Sequence, residues 1–127
     1  MSEKEFEKIY KEAHEAGLSA LNKTKPTPIR AVQRANLLDD NSPIVMDYGT
    51  IPGVCGFAWI NVKPGTSRFC RWLKKKGYGD TDGYYGGITI WVRYGGQTLE
   101  LKEAYARAFA DVLRKHNIDA YDMSRID

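Results

Sequence analysis

Val54-Cys55-Gly56-Phe57-Ala58-Trp59-Ile60-Asn61-Val62, followed by Lys63-Pro64-Gly65, is the stretch on which the fold turns. Successive side chains of a strand point to opposite faces. Val54, Gly56, Ala58, Ile60 and Val62 then share one face, and Cys55, Phe57, Trp59 and Asn61 share the other. The first set is small and aliphatic, suited to receive helices. Lys63-Pro64-Gly65 stops the strand. Thr66 or Ser67 caps a helix whose inner face carries Phe69, Trp72 and Leu73, with Gly77 suited to its left-handed end. Lys74, Lys75 and Lys76 fall in its last turn, where cations complement the helix dipole.

The same reasoning extends outward. Residues 77–87, GYGDTDGYYGG, form a loop. Residues 88–94 alternate Ile88, Ile90 and Val92 against Thr89, Trp91 and Arg93, a second strand broken by Gly95-Gly96. Thr98 opens a long helix with Leu101, Tyr105, Ala108 and Val112 as its buried stripe, widened by Phe109 and Leu113. Asn117 stops it, and residues 118–126 make a last strand. Upstream, residues 2–21 read as a helix that Ser2 and Glu5 cap, with Phe6, Ile9, Tyr10, Ala13 and Ala16 on one stripe. Pro26 and Pro28 end it. Residues 29–33 suit a short strand, residues 39–43 a loop and residues 44–48 a short extended piece. The expected fold is one α+β domain over residues 1–127, in the order α-β-β-α-β-α-β. It has a mixed sheet of about four strands, with the second and third helices on one face and an N-terminal helix besides.

Composition narrows the function classes. The 127 residues carry a net charge of +3 and are 43% hydrophobic, the profile of a globular chain. No run approaches the roughly 18 apolar residues of a membrane span. The acidic, amphipathic N-terminus lacks the apolar core of a signal peptide. A cytoplasmic protein without membrane contact is expected, with Cys55 and Cys70 as reduced, buried thiols. His14 and His116 are the only imidazoles, too few for a convincing metal site, and no cofactor motif is present. Lys63, Arg68, Arg71, Lys74, Lys75 and Lys76 form a basic run without an acid among them, a surface that attracts anions or simply a solvated helix face.

Catalytic patterns fail on inspection. Gly77, Gly79 and Gly83 have the wrong spacing for a dinucleotide loop and follow a helix rather than a strand. Asp80, Asp82 and Gly83 begin like a calcium loop, yet Trp91 stands where its closing glutamate belongs. His14-Glu15 lacks the second histidine of a zinc-protease helix, and Ser67 and Ser124 have no recognisable base. No catalytic residue is assigned; a small nucleotide-processing enzyme using Asp80, Asp82 or Glu103 is the third reading.

The informative pattern is the second sheet face: Phe57, Trp59, Asn61, Trp91, Arg93, Tyr121, Met123 and Arg125. Bases stack on such rings while cations meet phosphates. The first helix, or a second subunit, could equally cover this face. Tyr78, Tyr84 and Tyr85 among five glycines suit a mobile binding loop, or else tuck back onto the fold.

The runs PGVCGFAWINVKPGTSRFCRWLKKKGY, YYGGITIWV, KEAYARAFADVL and AYDMSRID resemble a family of small uncharacterised proteins of tailed bacteriophages, over about residues 28–127. The resemblance implies a phage origin and the cytoplasm of an infected bacterium; it carries over no activity and no catalytic residue. The leading expectation is a non-enzymatic binding protein for an anionic aromatic ligand, a nucleotide or single-stranded nucleic acid, in counter-defence or host takeover. Its ligand residues are Trp59, Trp91, Arg93, Tyr84, Tyr85 and Arg125, with Arg71 and Lys75 supplying field. The alternative is a protein-interaction or self-assembling module whose partner is a host protein or a second copy.

Overall fold

The computed structural model describes residues 2–24, 28–34, 44–52, 55–95 and 98–126; the loop expected at residues 39–43, and Val54 and Gly96, lie outside them. The elements are α1 (Glu3–Lys23), β1 (Pro28–Arg34), β2 (Ile44–Pro52), β3 (Gly56–Lys63), α2 (Arg68–Lys76), β4 (Asp80–Thr81), β5 (Ile88–Trp91), α3 (Leu99–Lys115) and β6 (Asp119–Ile126). The fold class is α+β, with three helices and a four-stranded sheet in the order β4-β5-β3-β6 among the described residues. Every pairing in it is antiparallel, where a mixed sheet was expected. The two upstream strands also do not join it: β1 and β2 pair with each other as a separate antiparallel ribbon.

Each strand's neighbours explain the helices. β3 and β4 run in the same direction with β5 between them, and α2 makes the crossover. β5 and β6 likewise run together with β3 between them, and α3 makes that crossover. Two crossovers of one hand, in opposite directions along antiparallel strands, bring both helices to the same face. That face is Ala58, Ile60, Val62, Ile88, Ile90 and Ala120, all buried with Phe69, Leu73, Phe109 and Leu113 in one core.

The helix ends follow local chemistry. Ser2 Oγ accepts the Glu5 amide at 3.4 Å, and Ser67 Oγ, rather than Thr66, accepts the Cys70 amide at 3.1 Å. α2 and α3 close in the same way. Tyr78 N–H reaches back to the Leu73 carbonyl and Ile118 N–H to the Leu113 carbonyl, around left-handed Gly77 (φ 76°) and Asn117 (φ 62°).

α1 packs on the helical layer rather than on the aromatic face. Phe6 lies 5.5 Å from Phe69 and 6.0 Å from Trp72, and Tyr10 meets Phe109 edge-on at 5.4 Å. Gly17 permits the close approach, because a Cβ there would stand 2.6 Å from the Tyr105 ring. Glu12 bridges α1 to Lys115 and His116 at 3.3 and 2.9 Å. Cys70 is buried as expected, but Cys55 is exposed, although it bridges to Thr98 just before β3. No helix among the described residues is long and apolar enough to cross a membrane.

Candidate functional site

Directly paired residues of antiparallel strands lie on one face, so the registers arrange the second face in rows. Asp80, Thr89, Asn61 and Tyr121 form one row across β4, β5, β3 and β6; Trp91, Trp59 and Met123 form the next; Phe57 and Arg125 follow. Trp91 in the middle row is 44% exposed, and at the Phe57 end Lys102 of α3 reaches over the ring, 5.4 Å from its centre. The Trp59 and Trp91 rings meet at 5.3 Å, tilted by 51°. The Arg125 guanidinium sits 5.6 Å from the Phe57 ring centre, within cation–π range.

The β4–β5 loop forms a wall beside this floor, and one carboxylate holds it. Asp82 Oδ1 accepts the Tyr84 and Tyr85 amides at 2.9 and 2.8 Å, an aspartate side chain mimicking a turn. Its Oδ2 accepts the Thr89 hydroxyl at 2.8 Å and Asn61 Nδ2 at 3.2 Å. These donors, the Tyr85 amide first, hold the Asp82 carboxyl below the ordinary aspartate range. Asn61, 1% exposed, also donates to the Gly86 carbonyl at 2.8 Å. Gly87 lies so close to β3 that a Cβ would come 2.2 Å from the Val62 carbonyl oxygen. The loop is therefore pinned to the sheet through Asp82, Asn61 and Gly87. Tyr78 tucks back, stacked on Tyr10 at 4.2 Å, while Tyr84, 86% exposed, and Tyr85 project.

Floor and wall enclose an open groove of about 680 Å³ lined by Trp59, Trp91, Tyr84, Tyr85, Asp80 and Arg125, among others. Three charged residues line it: Asp80 and Asp82 stand on the β4 side and Arg125 on the β6 edge, with the indoles between. Five of the eight ligand residues expected from the sequence thus converge. The other three do not line this groove. Arg93 lies past the end of β5 and lines a different cleft with Tyr10, Tyr78 and Tyr94. Arg71 and Lys75 belong to α2, in the helical layer, where Lys75 pairs with Glu3 at 3.0 Å.

Of the carboxylates of the enzyme reading, Asp80 and Asp82 both line the groove. Asp82 is committed to four hydrogen bonds, and Glu103 accepts the Ser124 hydroxyl at 2.8 Å from α3. No cluster of three or more metal-ligating side chains occurs among the described residues. Sequence reasoning missed Asp80 as a rim residue and Asn61 as the anchor of the loop. The Asp82-Gly83-Tyr84-Tyr85 turn chemistry was the available signal for the latter. No protein-family model, curated protein or solved structure matches this chain.

Proposed function

We propose that the groove binds a small anionic aromatic ligand of the nucleotide class, and that the protein acts as a binding protein rather than an enzyme. The phage resemblance supplies the setting: the cytoplasm of an infected bacterium, in counter-defence or host takeover. The supporting observation is the Trp59–Trp91 floor, flanked by Tyr84 and Tyr85 on a pinned loop and by Arg125 at the far edge. A stacked base gains about 1–3 kcal/mol on such a surface. Arg125 offers a forked donor to a phosphate, and Asp80 an acceptor for ribose hydroxyls or an exocyclic amine. One cation serves a mononucleotide, or one unit of a single strand, better than a long phosphate track.

Titration of adenosine and uridine monophosphates and a short single-stranded oligonucleotide, followed by tryptophan fluorescence, tests the reading. Trp59→Ala and Arg125→Ala are each expected to weaken binding about tenfold, or about 1.4 kcal/mol. Unquenched fluorescence across the panel would sink the proposal.

A second reading draws on β6, an eight-residue edge strand with Tyr121 exposed in the aromatic rows. Exposed edges template pairing with another chain, and a self-assembling module would bury this face between copies. Sedimentation showing a dimer that Met123→Lys dissociates would favour it.

A further inference from the structure

The cleft that takes Arg93 is independent of the groove: it lies where α1, the end of α2 and α3 meet the end of β5, and shares only Trp91 with it. Its volume is about 250 Å³. Tyr10 and Tyr78 form one wall as a stacked pair, 4.2 Å apart and 10° from parallel. Tyr94 forms another, 5.2 Å from His14 and 5.3 Å from Tyr105. Tyr78 and Tyr94 are 36% and 45% exposed, so their rings border the mouth instead of filling the interior.

His14 Nδ1 lies 2.6 Å from the Tyr105 hydroxyl. Burial pushes the Tyr105 phenol up, so it stays protonated beside the imidazole. Arg93 adds a guanidinium with no acid beside it: among the described lining residues there is no carboxylate. Aromatic walls alone would equally suit a quaternary ammonium. A guanidinium at the rim repels a cation and attracts an anion.

We infer that this cleft is a second binding site, for a compact planar ring carrying one acidic group, with the ring between the Tyr10–Tyr78 pair and Tyr94 and the acid on Arg93. The site goes beyond the groove and does not depend on it. It is too small for a whole nucleotide to occupy as the groove would hold one.

Phenyl phosphate is the probe, titrated calorimetrically into the full chain. Binding should weaken at least tenfold in Arg93→Ala and in Tyr94→Ala, both substitutions of exposed side chains. It should persist in Arg125→Ala and Trp59→Ala, which report on the groove alone. Inorganic phosphate should bind far more weakly than phenyl phosphate. Absence of binding, indifference to Arg93→Ala, loss in Arg125→Ala, or equal affinity for inorganic phosphate would each overturn the inference. Adenosine monophosphate binding lost in Trp59→Ala with phenyl phosphate unaffected would leave both sites standing separately.

Discussion

Asp82 carries more of the groove than its place in an eleven-residue glycine-rich loop suggests. Its folded carboxyl titrates below the ordinary value of 3.8, so it favours the folded loop above the unfolded value. That contribution fades as pH falls through the lower folded value. The amide proton shifts of Tyr84 and Tyr85 should therefore titrate with a midpoint below 3.8; a midpoint at or above it contradicts the turn described. Asp82→Ala should speed hydrogen exchange at both amides by about tenfold or more, the loss of roughly one to two net hydrogen bonds. The two thiols give a second residue-scale contrast. Burial raises the Cys70 thiol, and its Sγ lies 3.5 Å from the Val62 carbonyl, whereas Cys55 is exposed. Iodoacetamide on the native protein should modify Cys55 alone, as read by peptide mass spectrometry; modification of Cys70 before unfolding would contradict its burial. The apolar run around Cys55 concealed its exposure, although alternation sets it with Phe57 and Trp59 and not with the aliphatic set.

Elements were more legible than their partners. The alternation in residues 54–62 placed Trp59 opposite the core correctly, since period-two patterning is a local property. Register then carried Trp91, Met123 and Arg125 to the same face. Arg93 escaped because β5 ends two residues earlier, at Trp91, and continued alternation no longer fixed its neighbours. Arg71 and Lys75 were expected to act through their field alone, and α2, on the core face as its inner stripe implied, holds them away from the groove. The position of α1 was likewise hidden: its stripe fits any apolar surface, and the small residue that selects the helical layer is Gly17. Gly17→Ala should force α1 from the Tyr105 ring, at a cost of about 1–3 kcal/mol. For a domain of this size that lowers the melting temperature by several degrees. An unchanged Tm in calorimetry would mean that the two helices are not in contact there.

At the scale of the molecule, the cations of α2 and the aromatic groove occupy different layers. Lys74, Lys75 and Lys76 end α2, and Arg68 and Arg71 precede them on the same helix, whereas the groove has Arg125 at one edge and Asp80 at the other. Ligand binding in the groove should therefore depend weakly on salt. Each neutralised phosphate of a single strand contributes a slope of about −0.7 in log K against log salt. A short oligonucleotide held at Arg125 should show about one such unit. A slope several times steeper would mean that the strand also wraps onto α2, and that the basic run acts in binding after all.

Strand β3 writes two messages in alternate letters. Ala58, Ile60 and Val62 specify how the chain folds, and Phe57, Trp59 and Asn61 specify what its outer surface presents. Substitution at Phe57 or Trp59 can therefore revise the groove in small steps while the helices keep the same floor beneath them. Insertion or deletion of one residue exchanges the two messages at once, putting the Trp59 indole under the helices and alanine in the groove. Descendants of this chain are thus free to change what they recognise by point mutation, and barred from doing so by changes in length within these eight positions.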